Sequence, residues 1–496
     1  NKGFIKRLVD CNHDGIMDSY TEFAQVDNPR GILAIGDEVF VLHTTFSPET
    51  GKAFNMDLVV FEDKDKDGVA DGPAKVLIKN LSNSKYLAER GTDPFMNIYT
   101  RGNTNDGGGW NIRFIHQIQS GEYGYPVLFK HFTEEILPAL VDVGGGSGTG
   151  SLYMNDNRWP EKYNNVPMMA DWGRSYLYFH RLTENKASFI QDEEEFIQLP
   201  QITDVDVDGA GAMYLSAWDG AGYSGSPDKG YVVRVLPKNF TYEPFPDPQD
   251  IYWTGSLVDL LKAGNAKTRL SAQYELIKRG KGADKVWQMA QDSSLPLEVR
   301  ATAIFTFAQL AGDGGIDRLV SLTEDPQVQE FALRALSDRL GTLEKVPTEP
   351  FVNALKSDSD RVKAAAIIGL GRLGKKEVAN SLLEIPVPNS FTAPEMGAEG
   401  PHARPNAEIV VPHLAVKALV KLDAVDACVS ALGTDQRDMA LWAMRYMHSP
   451  KVVDGMIKAY ENTEDDVFKD KIIHTLARIY HQEAPYDTSW WWITPL

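Results

Sequence analysis

A chain of 496 residues, 43% hydrophobic and 24% charged, has room for two to four domains and an ordinary globular make-up, which excludes disordered and fibrous classes. Its 50 basic against 69 acidic side chains leave a formal charge of -19, the wrong sign for a surface that neutralises phosphates, so nucleic acid is excluded as an expected partner. No stretch approaches the roughly 20 apolar residues of a membrane-spanning helix; Asn1 to Lys6 lack the apolar core of a signal peptide, so the chain reads as mature or trimmed; and Cys11 and Cys428 stand too far apart to define a disulfide framework or a Cys-rich metal site.

From residue 1 to 245 the chain is rich in Gly, Asp, Asn and aromatics. Short β-branched or alternating runs, such as Glu38 to Leu42, Leu58 to Phe61 and Tyr231 to Val235, predict strands. Turn-forming clusters separate them, as in an antiparallel fold of short hairpins. Two of these turns share one acidic spacing. Asp10, Asn12, Asp14 and Asp18 recur 53 residues later as Asp63, Asp65, Asp67 and Asp71, with Gly15 and Gly68 in equivalent places. Alternate oxygen ligands at loop positions one, three and five suit hard Ca²⁺, and glycine at six permits the bend. Position twelve holds Thr21 or Ala74 rather than Glu, so neither loop is an EF-hand. The alternative is a pair of solvated acidic turns between strands. Because millimolar calcium is extracytoplasmic, the loops predict a periplasmic, outer-membrane-associated or secreted location.

A polar cluster follows. Arg101, Asn103, Asp106 and Trp110 surround a glycine run, then come Lys130, the run Gly144 to Gly150, and Asp171, Trp172 and Arg174. Such a mixture of cations, amides and aromatics would hold a polyanionic cofactor or a sugar, with His116 or His131 as general base. The alternative is that these residues simply turn the chain. No Lys-Ser/Thr follows the second glycine run and no helix begins there, which rejects a P-loop. Two further acidic turns, Asp93 to Tyr99 and Asp204 to Gly211, are each followed by a strand and predict hairpins.

Beyond Pro246-Asp247-Pro248, residues 246 to 496 change to amphipathic helices. Segments starting at Val299, Val328 and Val362 have small residues among aliphatic ones, at spacings of 29 and 34 residues. Each ends near a glycine, Gly312, Gly341 or Gly374, as at a helix C-terminus. Further helices are predicted over His413 to Leu422 and Val467 to Ile479. This periodicity resembles the HEAT repeat family, with an ordinary α-bundle as the alternative. The Pro- and Gly-rich segment 386–412 interrupts the array and is expected to dock on the first half or on a partner.

The elements Gly121 to Pro126, Gly144 to Gly150, Asp171-Trp172-Gly173-Arg174, Thr203 to Gly209 and Ser489 to Trp492 together resemble the PVC-type haem-binding proteins, also labelled membrane-bound dehydrogenases. The resemblance implies a β-propeller similar to quinoprotein sugar dehydrogenases, fused to a HEAT-type α-solenoid and commonly to a c-type cytochrome. It also implies a quinone cofactor of the pyrroloquinoline type. Cys-x-x-Cys-His is missing from this sequence, so covalent haem on this chain is not expected. Family members continue past Trp492, and the junction Arg90 to Phe95 joins segments that further blades usually separate, so an incomplete propeller is expected. The expected function is an extracytoplasmic calcium-binding scaffold with a protein partner on the HEAT array, carbohydrate being a further candidate ligand. The alternative is a quinone-dependent sugar or alcohol dehydrogenase subunit that passes electrons to a separate cytochrome.

Overall fold

A computed structural model describes residues 2–12, 14, 16–50, 53–79, 91–101, 112–123, 136–220, 228–388 and 406–482. Among the described residues, five antiparallel sheets occupy the first half, each built from strands adjacent in sequence. The first sheet pairs β1 (Lys2–Val9) with β2 (Ser19–Asp27). The second holds β3 (Pro29–Ile35), β4 (Glu38–Phe46), β5 (Ala53–Glu62) and β6 (Lys75–Ile78). The third holds β7 (Gly91–Thr92), β8 (Ile98–Arg101), β9 (Ile112–Gln117) and β10 (Val141–Gly144). The fourth holds β11 (Gly148–Met154), β12 (Val166–Asp171), β13 (Tyr176–Asn185) and β14 (Ser188–Gln198); the fifth holds β15 (Ile202–Val207), β16 (Met213–Trp218) and β17 (Gly230–Val235).

Side chains that alternate across a strand place one set inside. In β16, Met213, Leu215 and Ala217 are buried while Tyr214, Ser216 and Trp218 are half-buried. Ile5, Phe23 and Val26 of the first sheet pack on Val41, Val59 and Phe61 of the second. Tyr99 and Phe114 of the third sheet meet Met169 and Phe189 of the fourth, and Met168 and Phe179 of the fourth share a core with Val205 and Leu215 of the fifth.

Fourteen α-helices follow among the described residues: α1 (Thr254–Leu260), α2 (Ala266–Arg279), α3 (Ala283–Gln291), α4 (Leu297–Ala311), α5 (Ile316–Leu322), α6 (Gln329–Asp338), α7 (Glu349–Ala354), α8 (Asp360–Leu373), α9 (Ala379–Leu383), α10 (Val410–Lys421), α11 (Val425–Ala431), α12 (Arg437–Met444), α13 (Pro450–Asn462) and α14 (Asp466–Ile479). Local chemistry fixes several ends. Asn265 caps α2 by accepting the Thr268 N–H at 2.8 Å, and Asp465 caps α14 by accepting that of Phe468 at 3.1 Å. Gly374 ends α8 in the left-handed region at φ +70°, as its place in the sequence predicts. Gly341 does not end a helix: α6 stops at Asp338 because Arg339 is extended, and the glycine falls in a 3₁₀ segment beyond it.

The even-numbered helices α2 to α14 contact one another in series, so they form one continuous layer. A second layer includes α1 against α3, and α9, α11 and α13 in series. Stacked helix pairs of this kind bury one elongated core, running from Leu257 through Ala301, Leu333, Leu370 and Leu419 to Ile472. The architecture is thus a β-sheet region followed by a helical region. Among the described residues no helix is long and apolar enough to cross a membrane.

The even layer also seats the sheets. From α2, Lys278 pairs with Asp37 at 2.8 Å, Tyr274 bonds Glu38, and Lys267 reaches Asp206. From α6, Arg334 donates to the carbonyls of Phe95 at 2.6 Å and Met96 at 2.9 Å. Arg361 of α8 reaches Asn97 at 3.1 Å, and His413 of α10 accepts the Glu122 N–H at 3.1 Å. Arg269 grips Asn155, where Asp156 and Asn265 also form a β-bridge.

Candidate functional site

Four of the predicted cofactor-binding residues come together. Asp171 ends β12 fully buried, and its Oδ1 accepts the N–H groups of Ser147 at 2.9 Å and Arg174 at 3.0 Å. The Trp172 N–H returns to the Ser147 carbonyl at 2.8 Å, and Arg174 Nε donates to the Gly145 carbonyl at 2.6 Å. The run Gly144 to Gly150 and the Asp171 to Arg174 motif are therefore one folded unit. Glycine is required at 146 because a Cβ there would lie 2.4 Å from Asp171 Oδ2.

Arg101 enters from the third sheet. It is 4% exposed, lies 3.7 Å from Asp171 and 3.5 Å from Glu193, and stacks over Tyr178 at 4.2 Å. Glu193 of β14 is the cross-strand partner of the fully buried His180 of β13, whose ring stacks on Phe114 at 3.7 Å. All three Arg101 nitrogens, Asp171 Oδ2, Glu193 Oε2 and His180 Nε2 are buried with no hydrogen-bond partner. The ion pairs are thus long and the polar groups incompletely satisfied. Burial is the largest influence on three ionisable groups packed here. It lowers the Arg101 guanidinium, raises the Glu193 carboxyl despite Arg101 and Arg174, and holds His180 at about 3.

Glu193, His180 and Tyr178 are missed by the sequence reading. Glu193 lies in the acidic run Asp192 to Glu195, which resembles a solvated strand face and carries no local signal of its half-buried position.

Of the two predicted bases, His131 lies outside the described residues, as do Asn103, Asp106, Trp110 and Lys130. His116 sits on β9, 7% exposed, with Nδ1 3.1 Å from the Ser188 hydroxyl and its ring stacked on Tyr99. Burial, followed by the charges of Arg361 and Arg334, holds it at about 3. The cavity beside it is about 10 Å³, room for about one water. A neutral imidazole could accept a proton, but among the described residues the cavity beside this one holds no more than a water.

The two acidic loops share a hydrogen-bond pattern. Asp18 accepts the Cys11 N–H at 2.7 Å, and Asp71 accepts that of Lys64 at 2.8 Å. Asn12 and Asp65 accept from Asp14 and Asp67 respectively, and Asp14 and Asp67 from Ile16 and Val69. In the second loop, oxygens of Asp63, Asp65 and Asp67 lie within 4.8 Å of one another, and Asp63 Oδ1 is buried without a partner. That donor set fits a hard divalent cation. Each loop sits at a seam. Asp10 pairs with Arg234 of β17 at 2.7 Å, tying the first sheet to the fifth. The second loop receives the Thr21 hydroxyl on its Gly68 carbonyl at 3.0 Å and sends Lys66 to Asp247 at 2.9 Å, joining the first sheet to the linker before α1.

No family model matches this chain, and no curated protein matches it. Among solved structures, it is similar to the complex of CpcE and CpcF of phycocyanin lyase from a Nostoc species, at 17% identity over 51% of this chain and 96% of that one, with a TM-score of 0.25. A designed armadillo repeat protein in complex with a (KR)4 peptide gives 16% identity over 47% and 99%, TM-score 0.22. Human deoxyhypusine hydroxylase gives 15% over 48% and 98%, TM-score 0.19.

Proposed function

We propose that this chain is a calcium-stabilised binding or scaffold subunit. In this reading the sheets are blades of a propeller-like unit, the helices are HEAT-type repeats, and a protein partner engages the layer that includes α1, α3, α9, α11 and α13. One observation carries it: α2, α6, α8 and α10 are occupied in holding the second to fifth sheets. Side chains on these four helices reach backbone groups, amides and carboxylates of the sheets. They also leave the opposite layer for another molecule. Calcium in the loops at Asp10 to Asp18 and Asp63 to Asp71 would lock the seams between sheets, with Asp63, Asp65 and Asp67 as principal ligands in the second. A site of this loose type suits extracytoplasmic calcium, so the location proposed is the periplasm, the outer membrane surface or the medium.

The second reading, a quinone-dependent dehydrogenase subunit, draws on the convergence of Arg101, Asp171, Trp172 and Arg174. Such a cofactor would supply the two-electron chemistry, with the Arg101 and Arg174 cations as its holders. His116 is poorly placed to serve it, being sealed among Tyr99, Phe189 and Ser188. The test supplies pure protein with pyrroloquinoline quinone, Ca²⁺, an aldose and a dye acceptor. Calcium-dependent stabilisation without dye reduction supports the scaffold. Saturable dye reduction that Arg174→Ala abolishes would replace it by the dehydrogenase.

A further inference from the structure

A cleft of about 760 Å³ opens where α7, α8, α9 and α10 meet the β13–β14 hairpin tip at Lys186, within the size range of ligand sites. Its floor is apolar, built from Val352, Leu355, Ile385 and Val411. Pro386, Pro388 and Pro412 add apolar surface and contribute no backbone N–H donors.

The rim has both signs of charge, unequally committed. Lys186 pairs with Glu408 at 3.0 Å and Lys363 with Asp360 at 3.2 Å. Lys356, Asp358 and Glu384 are exposed and make no ion pair among the described residues. Two uncommitted acids face one uncommitted base, on a chain of formal charge -19.

We propose that this cleft binds a short linear segment of a partner protein, with an apolar side chain on the Leu355–Val411 floor and a neighbouring Lys or Arg on Glu384 and Asp358. The inference rests on the reading of the helical region as a partner-binding array, and it adds to the opposite layer a second contact, at the edge where α7 to α10 meet the β13–β14 hairpin. Long-range attraction by the acidic chain favours a basic segment on encounter, while the free rim carboxylates give it a fixed place. The apolar floor supplies the affinity, since exposed charge pairs alone contribute little.

The experiment is fluorescence anisotropy of two labelled octapeptides, one alternating Leu and Lys, the other Leu and Glu, titrated with the full chain. The Leu/Lys peptide should bind at least about tenfold tighter. Glu384→Lys should narrow or invert that preference, Leu355→Glu should weaken the Leu/Lys peptide, and Glu461→Lys, an equal charge change at an exposed site on α13, should do neither. Circular dichroism and melting of the rim variants should match the parent, because exposed substitutions cost little. Binding that all three variants leave unchanged would place peptide recognition elsewhere on the array, overturning the inference but not the scaffold reading. No binding of either peptide counts against both. Binding seen only after deletion of residues 390–404 would make the chain's own segment the occupant and also overturn the inference.

Discussion

Replacing Arg101 by methionine removes a cation from a site that is 4% exposed and leaves two carboxylates facing each other's surroundings: Asp171, fully buried, and Glu193, with 23% of its side chain exposed. Methionine keeps an unbranched apolar stem but removes both the charge and the guanidinium stacked over Tyr178 at 4.2 Å. Breaking a buried pair from one side typically costs about 3–5 kcal/mol, because the partner charge stays desolvated without compensation. For a chain of this size that is a fall in melting temperature of roughly 3–6 °C. Glu193→Gln should behave differently. Burial raises its carboxyl pKa even beside Arg101 and Arg174, so its ionised form is a net burden and the amide should cost less than about 1 kcal/mol. Because the residues share one network, Arg101→Met with Glu193→Gln should cost less than the sum of the two. The deficit of Arg101→Met also has a pH sign. Glu193, whose carboxyl is raised in the folded state by burial, takes up a proton as pH falls, so its share of the penalty is full near neutral pH and shrinks on acidification. Urea denaturation at pH 7 and pH 4.5 measures all of this. A loss below about 1 kcal/mol at pH 7, or strict additivity with Glu193→Gln, would refute the claim that these groups form one buried ionic network.

Gly146→Ala should destabilise the fourth sheet's entry turn, since its Cβ would meet Asp171 Oδ2 at 2.4 Å; unchanged thermal unfolding would contradict that geometry. Calcium should raise the melting temperature and chelation reverse it, with about 2.7 kcal/mol gained at a hundredfold excess over Kd, and Asp65→Asn with Asp67→Asn should remove most of the second loop's share in a calorimetric titration. Asp37 has a lowered pKa: burial opposes ionisation, but the Lys278 and Gln249 hydrogen bonds outweigh it. Its stabilising effect is therefore present above the unfolded carboxyl pKa and lost as pH falls through the lower folded value, and Asp37→Asn should flatten that part of the acid limb of the stability profile. Arg334→Ala removes both donors to the Phe95 and Met96 carbonyls and should raise amide exchange at Asn97 before it affects exchange within α8; equal exchange in both would mean that the contact does not hold the third sheet in place.

Much of the architecture was legible because periodicity survives translation into structure. The run Glu38 to Leu42 lies in β4, and the small-plus-aliphatic segments from Val299 and Val362 lie in α4 and α8. The acidic turn at Asp93 is a hairpin device whose carboxylate accepts from Phe95, Asn97 and Tyr99. Boundaries were less legible. Gly341 resembles a helix stop in sequence, yet Arg339 had already left the helix, because a cap is a backbone conformation that several residues can start. In the candidate site, the Arg101, Asp171, Trp172 and Arg174 grouping was readable from residue type. Glu193 and His180 were not, since their relation is a cross-strand register between β13 and β14 that no local pattern announces.

The grips between the halves illustrate the same limit. Arg334, Arg361, Tyr274 and Lys278 sit on helix faces where sequence alone suggests solvent, and an i,i+4 pair such as Glu330 with Arg334 seems a sufficient use for the arginine. In the structure Arg334 spends its two terminal nitrogens on sheet carbonyls, while Glu330 also holds Arg361 at 2.9 Å, which in turn reaches Asn97. A single glutamate thereby orients two arginines towards one turn of the third sheet. Its removal should free both, so Glu330→Gln ought to weaken the contact more than either arginine substitution alone. Hydrogen exchange at Asn97 and the melting temperatures of Glu330→Gln, Arg334→Ala and Arg361→Ala measure this. A Glu330→Gln effect smaller than that of Arg334→Ala would show that the arginines hold the sheet without the carboxylate that positions them.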